Sequence, residues 1–139
     1  MVFIKNTWMN LKSEEPQIEV EIKKIKQFGD KNVRFIILYG SSVKRKLTDM
    51  SDIDLAVFYQ GTKKERFDFR KKILGRVNNR FDIQTFQDLP LYIQNDIIST
   101  GKIIYFRDYR ETFEIFMKTI REFADFKPRL EIYYSGLGV

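Results

Sequence analysis

The sequence predicts an α/β (α+β) fold, and three observations carry that reading. Short apolar runs alternate with segments whose apolar residues recur at helical spacing. The strongest run, Val33 to Tyr39, is interrupted only by Arg34, as expected of a strand covered on both faces. The 139 residues contain no internal repeat, low-complexity linker or composition shift, which suits one domain around one core. The expected organisation is a single domain over 1–139, with its core over about 17–126, an N-terminal arm over 1–16 and a C-terminal tail over 127–139.

Residues 1–16 fit no single pattern, and Val2-Phe3-Ile4 and Trp8-Met9 suit either a short strand or a packed arm. Pro16 suits a first helical turn, Ile18, Ile22 and Ile25 continue at helical spacing, and Gly29-Asp30 ends that helix. After the Val33 to Tyr39 strand, Ser41 to Leu47 reads as one or two helical turns and Thr48 to Ser51 as a loop. Ile53 to Tyr59 is the second strand. Thr62 is placed to cap a helix over 63–79, with Phe67, Arg70, Ile73, Leu74 and Val77 as its stripe and Asn78-Asn79 at its end. Phe81 to Phe86 is the third strand, 90–99 a helix closed by Gly101, and Lys102 to Phe106 the fourth strand. A long amphipathic helix over Tyr109 to Phe126 follows, with Phe113, Phe116, Ile120 and Phe123 inward. Lys127-Pro128 is expected to break it ahead of an aromatic tail.

Composition narrows the chemistry. Hydrophobic residues make up 43% of the chain and aromatics 15%, enough to build a core. No apolar run is long enough to span a bilayer, and the N-terminus lacks the core of a signal peptide, so a cytoplasmic location is expected. Cysteine and histidine are both absent, which excludes disulfides, Cys/His zinc sites and Ser-His or Cys-His catalytic pairs. No P-loop pattern occurs. The net charge of +6 favours contact with phosphates, although most of these charges are spread along the chain as a solvated surface would have them.

The most informative segment is Leu38-Tyr39-Gly40-Ser41-Ser42, followed by a basic spacer and then Asp52-Ile53-Asp54-Leu55-Ala56-Val57. Gly40 lets a ligand approach the backbone, and the Ser41 hydroxyl with free amides after the strand can hold a phosphate, with help from Ser42. Lys44 and Arg45 raise the positive potential nearby. Side chains two apart on a strand share a face, so Asp52 and Asp54 are paired carboxylates that a divalent cation such as Mg²⁺ would reconcile. Asp82, in Phe81-Asp82-Ile83, is the candidate third acid. Asp52, Asp54 and Asp82 together would serve two metal ions, with Asp82 as base on the attacking side.

This pattern resembles the DNA polymerase β-like nucleotidyltransferase superfamily, and within it the minimal nucleotidyltransferase (MNT) domains, many of them encoded beside a HEPN-domain toxin. The resemblance covers roughly residues 17–134. It implies a mixed sheet of about four strands flanked by helices, Mg²⁺ as cofactor and ATP as substrate. Gly40 and Ser41 would bind the triphosphate, and Asp52, Asp54 and Asp82 the metal. It further implies transfer of AMP to a tyrosine of a HEPN toxin, with the chain as antitoxin. A contact-only antitoxin and a small-molecule nucleotidyltransferase are the alternatives. The absence of an appended helical nucleic-acid-binding domain argues against a processive polymerase; nucleic acid is not the expected partner, and homo-oligomerisation stays open.

Overall fold

In the computed structural model, which describes residues 16–40 and 52–136, the two central strands carry the fold. Strand β1 is Val33–Tyr39 and β2 is Ile53–Tyr59, as the apolar runs predict. They pair antiparallel from Val33↔Tyr59 to Tyr39↔Asp54, with one bulge near Val33. Strand β3, Phe81–Thr85, lies parallel to β2 on one side, and β4, Lys102–Phe106, lies antiparallel to β1 on the other. The sheet is therefore mixed, with four strands in the order β3-β2-β1-β4.

Helices cover both faces, which is why the central strands are apolar at successive positions rather than alternate ones. Helix α1 is Pro16–Gly29 and α2 is Lys63–Leu74. Ile18 and Ile25 of α1 and Phe69 and Ile73 of α2 pack on Ile36, Leu38, Ile53, Leu55, Val57 and Ile83. Helix α3 is Leu91–Thr100 and α4 is Tyr109–Gly136. Ile97 and Ile98 of α3 and Phe116 of α4 pack on Phe35, Ile37, Ala56 and Ile103. The Phe35 ring meets Phe58, Phe86 and Phe116, each with centroids 5.2 Å away. Arg34 holds the start of α4 to β1 through a two-pronged contact with Glu111 at 2.6 and 2.8 Å.

Helix α1 stops where expected, with Asp30 in the left-handed region at φ 49°. Thr62 caps α2 in a reciprocal capping box with Glu65. Three expectations need correction. Helix α2 ends at Leu74 rather than at 79, because the backbone tightens into three-residue turns at Gly75 and Arg76. Its buried residues are Phe69 and Ile73, with Val77 buried just past its end, whereas Phe67 is 63% exposed. Phe69 sets that phase by stacking on Tyr59 at 4.3 Å and on Phe28 at 5.9 Å. The third strand yields at Phe86 to a single 3-10 turn, Phe86–Asp88, which the Thr85 hydroxyl closes by donating to Asp88.

The long helix also differs. It runs through Pro128 to Gly136 instead of breaking at Lys127-Pro128. Proline removes one backbone donor, and the carbonyl it frees, on exposed Ala124, can turn to water. Its packed face is Thr112, Ile115, Phe116, Thr119 and Ile120, so Phe116 and Ile120 lie inward as expected. Phe113 does not: it is 42% exposed and stacks on Tyr109.

Ile36→Ala, at a fully buried site on β1, is expected to cost about 3 kcal/mol of stability. Ile132→Ala, on the exposed end of α4, should stay within about 0.5 kcal/mol of the parent. Urea denaturation of both variants checks the pair.

Candidate functional site

The sheet register assembles the site. Tyr39 is the Cα partner of Asp54, and Asp54 is the Cα partner of Asp82, so the three side chains form one row across β1, β2 and β3. Neighbouring strands lie about 4.8 Å apart, which brings the Asp54 and Asp82 carboxylates into direct electrostatic contact. The row occupies the face that α3 and α4 cover farther along the strands, where Ile37 and Ala56 are buried. At this end the cover stops. Asp54 is half-buried, and Asp52 and Asp82 are exposed.

Gly40 closes the row from above. Its φ is 77°, in the left-handed region that glycine tolerates. A β-carbon there would stand 2.5 Å from Oδ2 of Asp54. Glycine is thus required twice, by the backbone turn and by the approach of a carboxylate. The same cradle brings the backbone close to whatever the carboxylate holds.

The charges conflict. Burial, then Asp82, then Asp52 push the Asp54 carboxyl above the usual carboxylate range. Burial, then Asp54 and Asp82, push the Tyr39 phenol up to about 12. Tyr39 is therefore a neutral phenol at neutral pH. Among the described residues no three acids converge closely enough to enclose a metal ion by themselves. A Mg²⁺ ion usually takes only one or two carboxylates, completing its shell with water and phosphate oxygens. The donor set, its mutual repulsion and the Gly40 cradle fit such an ion bound together with a phosphate.

Arg70 is the site residue that sequence reasoning missed. It was expected in the core stripe of α2, but its side chain crosses to the edge of the sheet. Its Nε donates to the Ile83 carbonyl at 2.8 Å, and its guanidinium stands 4.0 Å from Asp82 Oδ1. The only sequence signal was a cation set among apolar residues. Gln84 also leans toward Asp82, at 3.4 Å. Of the predicted site residues, Gly40, Asp52, Asp54 and Asp82 are brought to one end of the sheet. Ser41, Ser42, Lys44 and Arg45 lie outside the described residues.

Residues 21–110 match the family described as polymerase beta, nucleotidyltransferase. The chain belongs to that family. The match runs from within α1 to the start of α4 and so contains the whole acid row. A Methanocaldococcus jannaschii protein named "Putative protein adenylyltransferase MJ1547" is 38% identical over 95 residues, which is 68% of this chain and 73% of that one. The fold is shared with a chain of a toxin–antitoxin structure containing AMP-PNP, at TM-score 0.69 and 17% identity, covering 87% of this chain and 98% of that one. It is shared as well with a chain of the Shewanella oneidensis complex of a tri-AMPylated HEPN toxin and its MNT antitoxin. There the TM-score is 0.63 at 18% identity, with 88% and 99% covered. At such identities the likeness to these structures is one of fold.

Two outcomes test this geometry. A carboxyl held above its ordinary value of 3.8 makes the folded protein bind protons more tightly than the unfolded chain, so its contribution to stability falls as pH rises through that range. Asp54→Asn removes the conflict. With a chelator present, the variant should melt above the parent at neutral pH, and the difference should close below the ordinary carboxylate value. Gly40→Ala should do the opposite, lowering the melting temperature, because its methyl group meets Asp54 in a strained backbone conformation.

Proposed function

We propose that this nucleotidyltransferase moves AMP from ATP to a hydroxyl of a partner protein, a tyrosine of a HEPN-type toxin, and thereby acts as an antitoxin. The observation that carries the reading is the Asp54↔Asp82 pairing beside Gly40, which sets paired acids against a backbone turn that only glycine accommodates. The name of the M. jannaschii relative supports protein adenylyl transfer. The AMP-PNP and AMPylated-toxin structures of the same fold support the nucleotide and the partner.

Asp52, Asp54 and Asp82 would hold Mg²⁺. When bound, Mg²⁺ supplies Lewis-acid stabilisation of phosphate charge and lowers the cost of ionising a bound hydroxyl. Gly40 admits the triphosphate to the backbone, and Ser41, Ser42, Lys44 and Arg45 are proposed to bind its oxygens. Asp82 is half exposed at the row's outer end, where an incoming hydroxyl can reach it. It accepts the proton as the acceptor oxygen bonds to the α-phosphorus. The bond from that phosphorus to the β-phosphate oxygen breaks, and pyrophosphate carries off the electron pair. Arg70 steadies this end of β3 through the Ile83 carbonyl and stands beside the base. Tyr39, neutral at working pH, adds no negative charge to a crowded row.

Incubation with α-labelled ATP, Mg²⁺ and a co-expressed HEPN partner should label a tyrosine of the partner. Asp52→Ala and Asp54→Ala should each lower the rate by at least ~100-fold, since even outer-shell partners of a metal cost 10–100-fold. Neutralisation of the partner by the double variant at parental potency would instead establish action by contact alone.

A further inference from the structure

The charges on α2 are not evenly distributed around the helix. Lys63, Lys64, Phe67, Arg70 and Lys71 fall within about 120° of the helix circumference and share one broad face. Of its acids, Glu65 turns back to the N-cap, and Asp68 borders the face, four residues after Lys64 and three before Lys71, where it leaves the cations in excess. Lys63, Lys64 and Lys71 are exposed. Phe67, at 63% exposure, stands among them and contributes nothing to the core. Arg70 forms the inner margin of the face and ends 4.0 Å from Asp82, so the basic surface runs up to the acid row.

We propose that this face of α2 docks an acidic segment of the protein that supplies the acceptor hydroxyl. The proposal rests on the reading of the chain as a protein adenylyltransferase. An exposed ring bordered by cations suits one apolar anchor flanked by carboxylates, the arrangement of a small interface with an aromatic centre and a charged rim. From Lys63 to Lys71 the helix rises about 12 Å, the reach of three or four residues of extended chain. Single-stranded nucleic acid would require further rings, because its grooves stack successive bases on successive aromatics. Phe67 is the sole aromatic among the residues of this face. Docking here would deliver a hydroxyl past Arg70 to the Asp82 end of the row, and the cations would speed encounter with an acidic partner.

The test measures binding of the full chain, with no nucleotide present, to a fluorescent random Glu/Tyr copolymer, a Lys/Tyr copolymer and oligouridylate by anisotropy. The Glu/Tyr copolymer should bind preferentially, and more weakly as salt rises. Lys63→Glu/Lys64→Glu/Lys71→Glu should weaken that binding by at least about tenfold, and Phe67→Ala several-fold. Both variants should keep the parental affinity for the Mg²⁺ complex of AMP-PNP, which reports an intact fold and site. Equal binding by parent and triple variant, tighter binding of oligouridylate, or no binding of the acidic copolymer would each overturn the proposal. Patch-dependent binding without AMP transfer would uphold docking while removing the catalytic reading.

Discussion

The pairing register of β1, β2 and β3 is the constraint on which the rest of the structure depends. It sets Tyr39, Asp54 and Asp82 side by side on one face of the sheet. A slip of one residue would turn Asp54 into the α1/α2 core and bring Ile53 or Leu55 out to water. The apolar residues flanking each acid therefore do more than fill space. Ile53, Leu55, Phe81 and Ile83 are all buried, and their burial locks the acids onto the opposite face. The βαβ connection through α2 then brings Arg70 over the open edge of β3.

That arrangement is electrostatically unfavourable on its own. Half-burying Asp54 between Asp52 and Asp82 raises its carboxyl, and Gly40 holds the backbone against the same side chain. Folds generally confine such local conflicts to sites of function, where a ligand relieves them. A divalent cation bound with a polyphosphate, as proposed, would relieve this one by neutralising the carboxylates. The helices serve the conflict as well as the core. Those that bury Phe35 and Ile37 leave the Tyr39 end of the same face accessible.

Much of this was legible in the sequence, for identifiable reasons. β1 and β2 were read residue for residue because both are apolar runs bounded by Gly40 and by Asp52. The parity of Asp54 and Asp82 against their apolar neighbours followed from the two-residue period of a strand. Helix phase was harder. In α2, Phe67 lines up with Arg70 and Leu74 and Phe69 with Ile73, and the stacking of Phe69 on Tyr59 shows which line faces the core. In α4, Phe113 and Phe116 posed the same ambiguity, while Pro128 read as a stop although an exposed helix tolerates it. The crossing of Arg70 to Ile83 depends on a tertiary contact that no local pattern encodes. The readings of Ser41, Ser42, Lys44 and Arg45 stay at the level of motif and family.

The most direct test of the central claim, that the acid row holds a metal–nucleotide complex, is calorimetric titration of the protein with AMP-PNP in the presence and absence of Mg²⁺. The account expects one nucleotide per chain with Mg²⁺, little binding when Mg²⁺ is chelated, and loss of the Mg²⁺-dependent part in the Asp54→Asn variant. Equal affinity with and without Mg²⁺, unchanged by that substitution, would contradict it.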